Sequence, residues 1–140
     1  MSNQLAVLFP GIGYHIDKPL LYYSAKLARA RGYDLLAVQY PALPTGLRGH
    51  AEKIEQAVQT ALSAAEEQLT AIDWTAYDRV FFLSKSIGTA IAARYAVQHN
   101  IHPRQVYYTP IEQALPYLDP TGIAFHGTAD PWADTEMITN

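Results

Sequence analysis

Five short apolar runs, each followed by a turn signal, restrict the fold of this chain more than any other feature of its sequence. The runs span 5–9, 35–40, 79–84, 105–109 and 122–126. They are rich in β-branched and aromatic residues, and they are nearly continuous rather than alternating with polar residues. Such runs are typical of strands that are covered on both faces. We therefore expect five buried strands.

Helical patterns lie between these runs. Residues 19–31, 50–70 and 87–99 each predict a helix, and the clearest is 50–70, where apolar residues recur at helical spacing. That stripe consists of Ile54, Ala57, Val58, Ala61, Leu62, Ala65 and Leu69. Three prolines within residues 110–121 leave room for a short helix at most. The alternation of strands and helices predicts an α/β fold, with a parallel sheet and right-handed crossovers.

Length and composition limit the number of domains and the classes of partner. A chain of 140 residues with 49% hydrophobic content can bury one core, so we expect a single domain over residues 1–140. The net charge is −3 and the basic residues are scattered, which disfavours a nucleic-acid or anionic-membrane surface. The sequence has no cysteine, which excludes disulfides and thiolate chemistry. No apolar run approaches the roughly 20 residues that span a bilayer, so we expect a cytoplasmic protein.

Three loops are expected at the edge where the carboxyl ends of parallel strands meet, which is the edge where ligands bind in such sheets. The first run is followed by "PGIGYHIDKP", the third by "SKSIGT" and the fifth by "HGTADPWAD". Several unusual residues of the sequence fall in these loops. Chemistry is therefore expected among them.

Ser86 lies between a predicted strand and a predicted helix, in the pattern S-x-S-x-G. With Ser84 and Gly88 as small neighbours, this resembles a nucleophile elbow, in which a sharp strand-to-helix turn holds a serine above the sheet. The N–H of Ile87, at the start of the helix, would then be an oxyanion donor. The alternative is that Ser86 is a helix N-cap, a position that serine favours.

The first loop offers a second oxyanion donor, the backbone N–H of Ile12 or Gly13. The alternative is an ordinary strand-to-helix turn. A dinucleotide loop is disfavoured, because Ile16 replaces its third glycine and Tyr40 stands where an acidic residue would end the second strand. We expect no cofactor, and the scattered histidines give no support for a metal site.

Asp130 lies in the loop after the fifth run. A carboxylate at this position could orient a histidine that faces the serine. The alternative is a simple turn, since Asp130 is followed by Pro131 and this pair commonly opens turns.

The order of a glycine-rich loop, an elbow serine and an acid resembles the α/β-hydrolase superfamily, and most closely its small, lid-less, dienelactone-hydrolase-like members. The resemblance implies a three-layer sandwich with strand order 2-1-3-4-5 and helices on both faces. It also implies that Ser86 is the nucleophile, Asp130 the acid, and Ile87 with Ile12 or Gly13 the oxyanion donors.

The resemblance further implies a histidine that follows the acid. No histidine follows Asp130 within the 140 residues. We expect that a C-terminal segment with this histidine is missing, so that these 140 residues alone are catalytically crippled. His126 is more simply read as a packing residue than as a substitute base. The candidate substrate-binding residues are Tyr14, His15, Tyr40 and Lys85.

The sequence thus predicts a serine hydrolase of small esters, thioesters or amides that forms an acyl-enzyme on Ser86. One alternative is a non-catalytic protein that binds a ligand in the same cleft. Another is a flavodoxin-like nucleotide or flavin binder, which shares the strand order. The expected partner is a small-molecule substrate, and the open edge of the predicted sheet leaves room for a homodimer.

Overall fold

The structure is a computed structural model, and it describes residues 3–11, 19–41 and 50–125. Its five strands form one parallel sheet in the order β2-β1-β3-β4-β5. The strands are β1 (Gln4–Phe9), β2 (Asp34–Ala37), β3 (Arg79–Lys85), β4 (Arg104–Tyr108) and β5 (Ile123–Phe125). The predicted α/β fold and strand order are confirmed.

Three α-helices follow the strands, near the positions that the sequence predicts. They are α1 (Pro19–Ala30), α2 (Ala51–Leu69) and α3 (Ile87–Gln98). Two short 3₁₀ helices, Trp74–Ala76 and Glu112–Tyr117, complete the described elements. The second contains Pro116 and connects β4 to β5, so the expectation of a short helix in this crossover is confirmed.

Strand β2 ends three residues earlier than its apolar run predicts. After Ala37, the N–H of Val38 still bonds to the carbonyl of Leu8 on β1, at 2.9 Å. The next residue, Gln39, instead pairs its N–H and its carbonyl with the side-chain amide of Gln68 on α2, at 2.8 and 2.5 Å. The backbone leaves the sheet at this point because a side chain of α2 replaces the neighbouring strand as its partner.

The larger apolar core lies between one face of the sheet and the helices α2 and α3, and we call this side of the sheet the α3 face. The predicted apolar stripe of α2 is buried at every one of its positions. Phe82 is central here, with its ring centroid 4.9 Å from that of Phe9 and 6.2 Å from that of Tyr95. Most of α3 is buried as well, as expected for a helix pressed against a sheet.

The opposite face of the sheet packs against α1, and we call it the α1 face. Its core is smaller and consists of Ala6, Leu8, Leu21 and Leu83 among the described residues. Helices therefore lie on both faces, as predicted. Toward β5 this face opens to solvent, and the side chains of Ile123 and Phe125 are 55% and 52% exposed. All three residues of β5 are exposed, so the expectation that the fifth strand is buried is wrong.

One ion pair fixes α3 to α2 and to the segment that follows β4. The guanidinium of Arg94 donates to both carboxylate oxygens of Glu55, at 2.6 and 2.7 Å, and to the carbonyl of Gln113. These bonds lower the pKa of Glu55 and raise that of Arg94. Because two hydrogen bonds join the guanidinium to the carboxylate, this ion pair has a more defined geometry than a single-bonded pair on the surface.

Within the described ranges, no helix combines the length and the apolar character that crossing a membrane requires.

Candidate active site

Ser86 connects β3 to α3 in a backbone conformation that serine rarely adopts. Its φ is 55° and its ψ is −123°. Positive φ values are uncommon for any residue with a Cβ, because the side chain crowds the backbone. Ser86 occupies the N-cap position of α3, yet its side chain makes no capping hydrogen bond. The N-cap alternative therefore loses the interaction on which it depends.

Backbone and side-chain hydrogen bonds hold this turn from both sides. The N–H of Ser86 donates to the carbonyl of Tyr108 on β4, at 2.9 Å. Its carbonyl accepts two bonds from Thr89, one from the backbone N–H at 2.9 Å and one from the hydroxyl at 2.6 Å. The hydroxyl of Thr89, which is fully buried, also accepts from the N–H of Ile111. The conformation of Ser86 is thus imposed by its surroundings.

Small residues on either side of Ser86 let the chain pack closely. A Cβ on Gly88 would lie 2.7 Å from the carbonyl oxygen of Pro10 and closer still to that of Phe9. Glycine is required here because the first turn of α3 touches the end of β1. Ser84 is fully buried, and its hydroxyl points to the carbonyl of Val106 at 3.4 Å. A serine thus fits where the elbow pattern has its first glycine.

Ile87 is the first residue of α3, where backbone N–H groups have no partner within the helix and the helix dipole is positive. The first loop begins next to it, since Pro10 contacts the turn of Gly88. The chain that leads to Ile12 and Gly13 therefore starts beside Ser86. Their assignment as oxyanion donors, with that of Ile87, stays a prediction.

Lys85 is half-buried at the end of β3, and its ammonium lies 2.6 Å from the hydroxyl of Thr109. Thr109 follows β4 and has a φ of 48°, which is rare for a β-branched residue. Its N–H bonds to the carbonyl of Phe125 at 2.5 Å, and its hydroxyl donates to the carbonyl of Tyr108 at 2.8 Å. Sequence reasoning missed Thr109, because nothing in its local sequence signals this conformation.

Tyr40 follows β2, and its ring packs against the core of the α3 face. Its hydroxyl is buried and finds no hydrogen-bond partner among the described residues. Burial raises the pKa of Tyr40 well above its usual value, so the hydroxyl stays protonated at neutral pH. The assignment of Tyr40 as a substrate-binding residue stays a prediction.

The remaining predicted site residues lie outside the described residues. They are Asp130, Ile12, Gly13, Tyr14 and His15. His126 also lies outside the described residues. Their predicted roles stay predictions.

The histidines that the structure describes lie away from Ser86 or face solvent. His99 ends α3, where it stacks on Tyr95 at 4.1 Å and lies 3.7 Å from a carboxylate oxygen of Glu66. His102 precedes β4, at the amino edge of the sheet. Both lie at the end of the sheet opposite Ser86, so neither can act as its base. His50 is exposed just before α2.

The described residues form neither a metal-ligand cluster nor, in the two cavities below, a wall that includes Ser86. No three histidine, aspartate or glutamate side chains there are grouped to hold a metal ion. Two cavities of about 310 and 520 Å³ share His102 and Pro103 in their walls, and both lie at the amino edge of the sheet. They are remote from Ser86 and belong to the opposite end of the strands.

Comparison with known proteins supports the fold. No protein-family model matches the sequence, and no curated protein matches it significantly. A solved structure from Xanthomonas campestris pv. campestris, a candidate hydrolase of the alpha/beta superfamily, is similar with a TM-score of 0.57. The match covers 96% of this chain and 77% of that chain, at 17% sequence identity. At this identity the likeness establishes a shared α/β fold.

Proposed function

We propose that the protein is a serine hydrolase of small carboxylic esters, thioesters or amides, and that Ser86 is its nucleophile. The observation that carries the proposal is the conformation of Ser86, at φ 55° and ψ −123°, in the turn from β3 to α3. The fold shared with a candidate alpha/beta-superfamily hydrolase supports it.

The conformation of Ser86 has an energetic cost that a structural role does not explain. Non-glycine residues in sparsely populated backbone regions cost about 1–3 kcal/mol each and persist where the surrounding structure imposes them. A serine that served as a cap would gain a hydrogen bond without this cost, and Ser86 makes no such bond. A strained turn that presents a hydroxyl at the carboxyl edge of a parallel sheet is instead what a nucleophile elbow needs.

The chemistry that we propose has two steps. Ser86 Oγ attacks the substrate carbonyl carbon while a base takes its proton, and the N–H groups of Ile87 and of Ile12 or Gly13 bind the resulting oxyanion. The intermediate expels the alcohol, thiol or amine, which takes the proton from the base. Water, deprotonated by the same base, then attacks the acyl-enzyme, and the carboxylic acid leaves as Ser86 regains its proton.

The base in this proposal is a histidine that Asp130 orients. Neither His99 nor His102 can serve, because both lie at the opposite edge of the sheet. Removing such a base costs several orders of magnitude in rate, so the protein would retain at most weak activity without it.

The test is covalent labelling of the full natural chain with a fluorophosphonate, followed by peptide mass spectrometry. The proposal predicts one adduct, on Ser86, and its loss in Ser86→Ala. Ser84→Ala is the matched control, since Ser84 is two residues away and fully buried, and it should still be labelled at Ser86. A folded chain that takes up no label, or label on another serine, would favour a non-catalytic binding protein. Flavin retained on purification would favour the flavodoxin-like alternative.

A further inference from the structure

We propose that Thr89 is a positioning residue: its buried hydroxyl fixes the peptide unit between Ser86 and Ile87 and so aims the N–H of Ile87 at the oxyanion. This inference rests on the proposed function, because the N–H of Ile87 is an oxyanion donor only if Ser86 is the nucleophile. Three observations carry it: the two hydrogen bonds of the Thr89 hydroxyl, the geometry of the peptide unit, and the link to the segment after β4.

Thr89 places a hydroxyl in an otherwise apolar first turn of α3. Residues 87–90 are all buried, and Thr89 is the one among them with a polar side chain. Its hydroxyl donates to the carbonyl of Ser86 at 2.6 Å and accepts from the N–H of Ile111 at 3.3 Å. A hydroxyl has one proton to donate, so the bond to Ser86 uses it. Burying a hydroxyl without partners is costly, and these two bonds offset that cost.

The bond to the carbonyl of Ser86 determines where the N–H of Ile87 points. This carbonyl and this N–H belong to one peptide unit, which is planar and trans. In a trans unit the two groups point in opposite directions. A hydrogen bond that draws the carbonyl into the first turn of α3 therefore directs the N–H out of the amino end of the helix, where it has no partner within α3. The hydroxyl of Thr89 thus acts on the proposed oxyanion donor through a single rigid group.

The hydroxyl of Thr89 also links this peptide unit to the sheet. The backbone N–H of Thr89 donates to the carbonyl of Ser86 as well, at 2.9 Å, but this group moves with the helix. The hydroxyl adds a bond to the N–H of Ile111, in the segment that follows β4. The direction of the N–H of Ile87 is therefore set relative to the sheet as well as to its own helix.

The expected effect follows from what one oxyanion donor contributes. Removing such a donor lowers kcat by about 10²–10³-fold. Without the hydroxyl, the carbonyl of Ser86 keeps its bond to the backbone N–H of Thr89, so the donor is loosened rather than lost. We therefore expect a smaller loss, of about tenfold. Binding before the reaction should hardly change, because the oxyanion exists only in the transition state and the intermediate.

The test measures the inactivation of the full natural chain by a fluorophosphonate, with the rate constant kinact and the binding constant KI determined separately. In this reaction Ser86 Oγ bonds to phosphorus, fluoride leaves, and the proton of the hydroxyl passes to the base. The phosphoryl oxygen takes the place of the oxyanion. In Thr89→Val, where a methyl group replaces the hydroxyl, kinact should fall about tenfold and KI should change less than about twofold. Thr89→Ser keeps the hydroxyl and should restore kinact.

Two further measurements separate positioning from stability. The matched control is Leu69→Val, because Leu69 is buried in the same core but lies at the carboxyl end of α2, far from this turn. This variant should unfold at a lower temperature with kinact unchanged. In the labelled proteins, the amide proton of Ile87 should shift downfield through its bond to the phosphoryl oxygen, less so in Thr89→Val and fully in Thr89→Ser.

The outcomes distinguish this inference from the proposed function. A kinact in Thr89→Val equal to that of wild type, a loss that Thr89→Ser shares, or a similar loss in Leu69→Val would overturn the inference. If Thr89→Val does not fold, Thr89→Cys takes its place with the same expectation, because a thiol fits the space and is a weak donor. Wild type that takes up no label on Ser86 rejects the proposed function, whereas labelled wild type without an effect at Thr89 rejects this inference alone.

Discussion

The two faces of the sheet differ in how completely they are covered. On the α3 face, Tyr107 of β4 is 1% exposed and Phe82 of β3 is fully buried. The edge strand β5, next to β4, exposes Ile123 and Phe125 by about half on the α1 face, and its Ala124 is exposed on the other face. Parallel sheets are normally covered on both sides, so the exposed edge strand β5 is the exception among the described strands.

The α3 face contributes more to stability, whereas the strand β5 is accessible to solvent. The α3 face combines the larger apolar cluster with the ion pair of Arg94 and Glu55. On the α1 face, Lys85, Tyr108 and Phe125 lie in register at the carboxyl ends of β3, β4 and β5. We therefore expect substitutions in the core of the α3 face to lower stability more than substitutions at the exposed strand β5.

The largest predicted effect compares one substitution on the two faces. Phe82→Ala removes a buried ring that contacts Phe9, Trp74 and Tyr95, and we expect the free energy of unfolding to fall by about 3–5 kcal/mol. Phe125→Ala removes a half-exposed ring whose main partner is Tyr108, and we expect a loss of about 1 kcal/mol. Urea denaturation of both variants measures the difference. Equal losses would show that the faces do not differ as described.

A smaller effect is expected for the ion pair on the α3 face. Arg94→Met removes the bidentate bonds to Glu55 and should lower the free energy of unfolding by about 1–2 kcal/mol at neutral pH, since Glu55 is partly exposed. The pKa of Glu55 is lowered in the fold from an ordinary 4.5. The stability that this pair contributes is therefore complete above that value and is lost as the pH falls through the folded pKa.

The pH dependence gives this prediction its control. The difference in stability between wild type and Arg94→Met should shrink as the pH is lowered from neutral to below 4.5. Glu55→Gln should remove the same acid-dependent part, and the two substitutions together should cost less than their sum. A difference that does not change with pH would mean that Arg94 stabilises the fold by packing alone.

The smallest effect is expected for Ser86, which lies at the carboxyl end of β3. Because its side chain makes no capping bond, Ser86→Ala should change the free energy of unfolding by less than about 0.5 kcal/mol. Ser86→Gly should be more stable than Ser86→Ala by about 1–2 kcal/mol, since glycine accepts a positive φ. Thermal unfolding of the two variants checks this. A loss of about 1 kcal/mol in Ser86→Ala would instead indicate a helix cap.

Most of the fold could be predicted from the sequence because it depends on periodic patterns. The apolar runs place all five strands to within a few residues, and the stripe of α2 is buried as its spacing predicts. The early end of β2 could not be predicted, because Gln68 satisfies the backbone of Gln39 from 29 positions away. The strand order came from the family resemblance, since alternation alone does not fix it.

The turn that holds Ser86 could be predicted because it depends on a local sequence pattern. The spacing of Ser84, Ser86 and Gly88 identified the turn, and Gly88 meets β1 as that pattern requires. Thr109 could not be identified in the same way. Its conformation depends on a bond to Phe125, sixteen residues later, and residues that precede proline do not signal a positive φ.

The crystal structure of the full natural chain after reaction with a fluorophosphonate tests the central claim most directly. We predict a covalent bond from Ser86 Oγ to phosphorus, with the phosphoryl oxygen about 2.7–3.1 Å from the backbone nitrogen of Ile87. Ser86 should keep its positive φ. An unmodified Ser86 whose hydroxyl accepts a hydrogen bond from the first turn of α3 would contradict the claim.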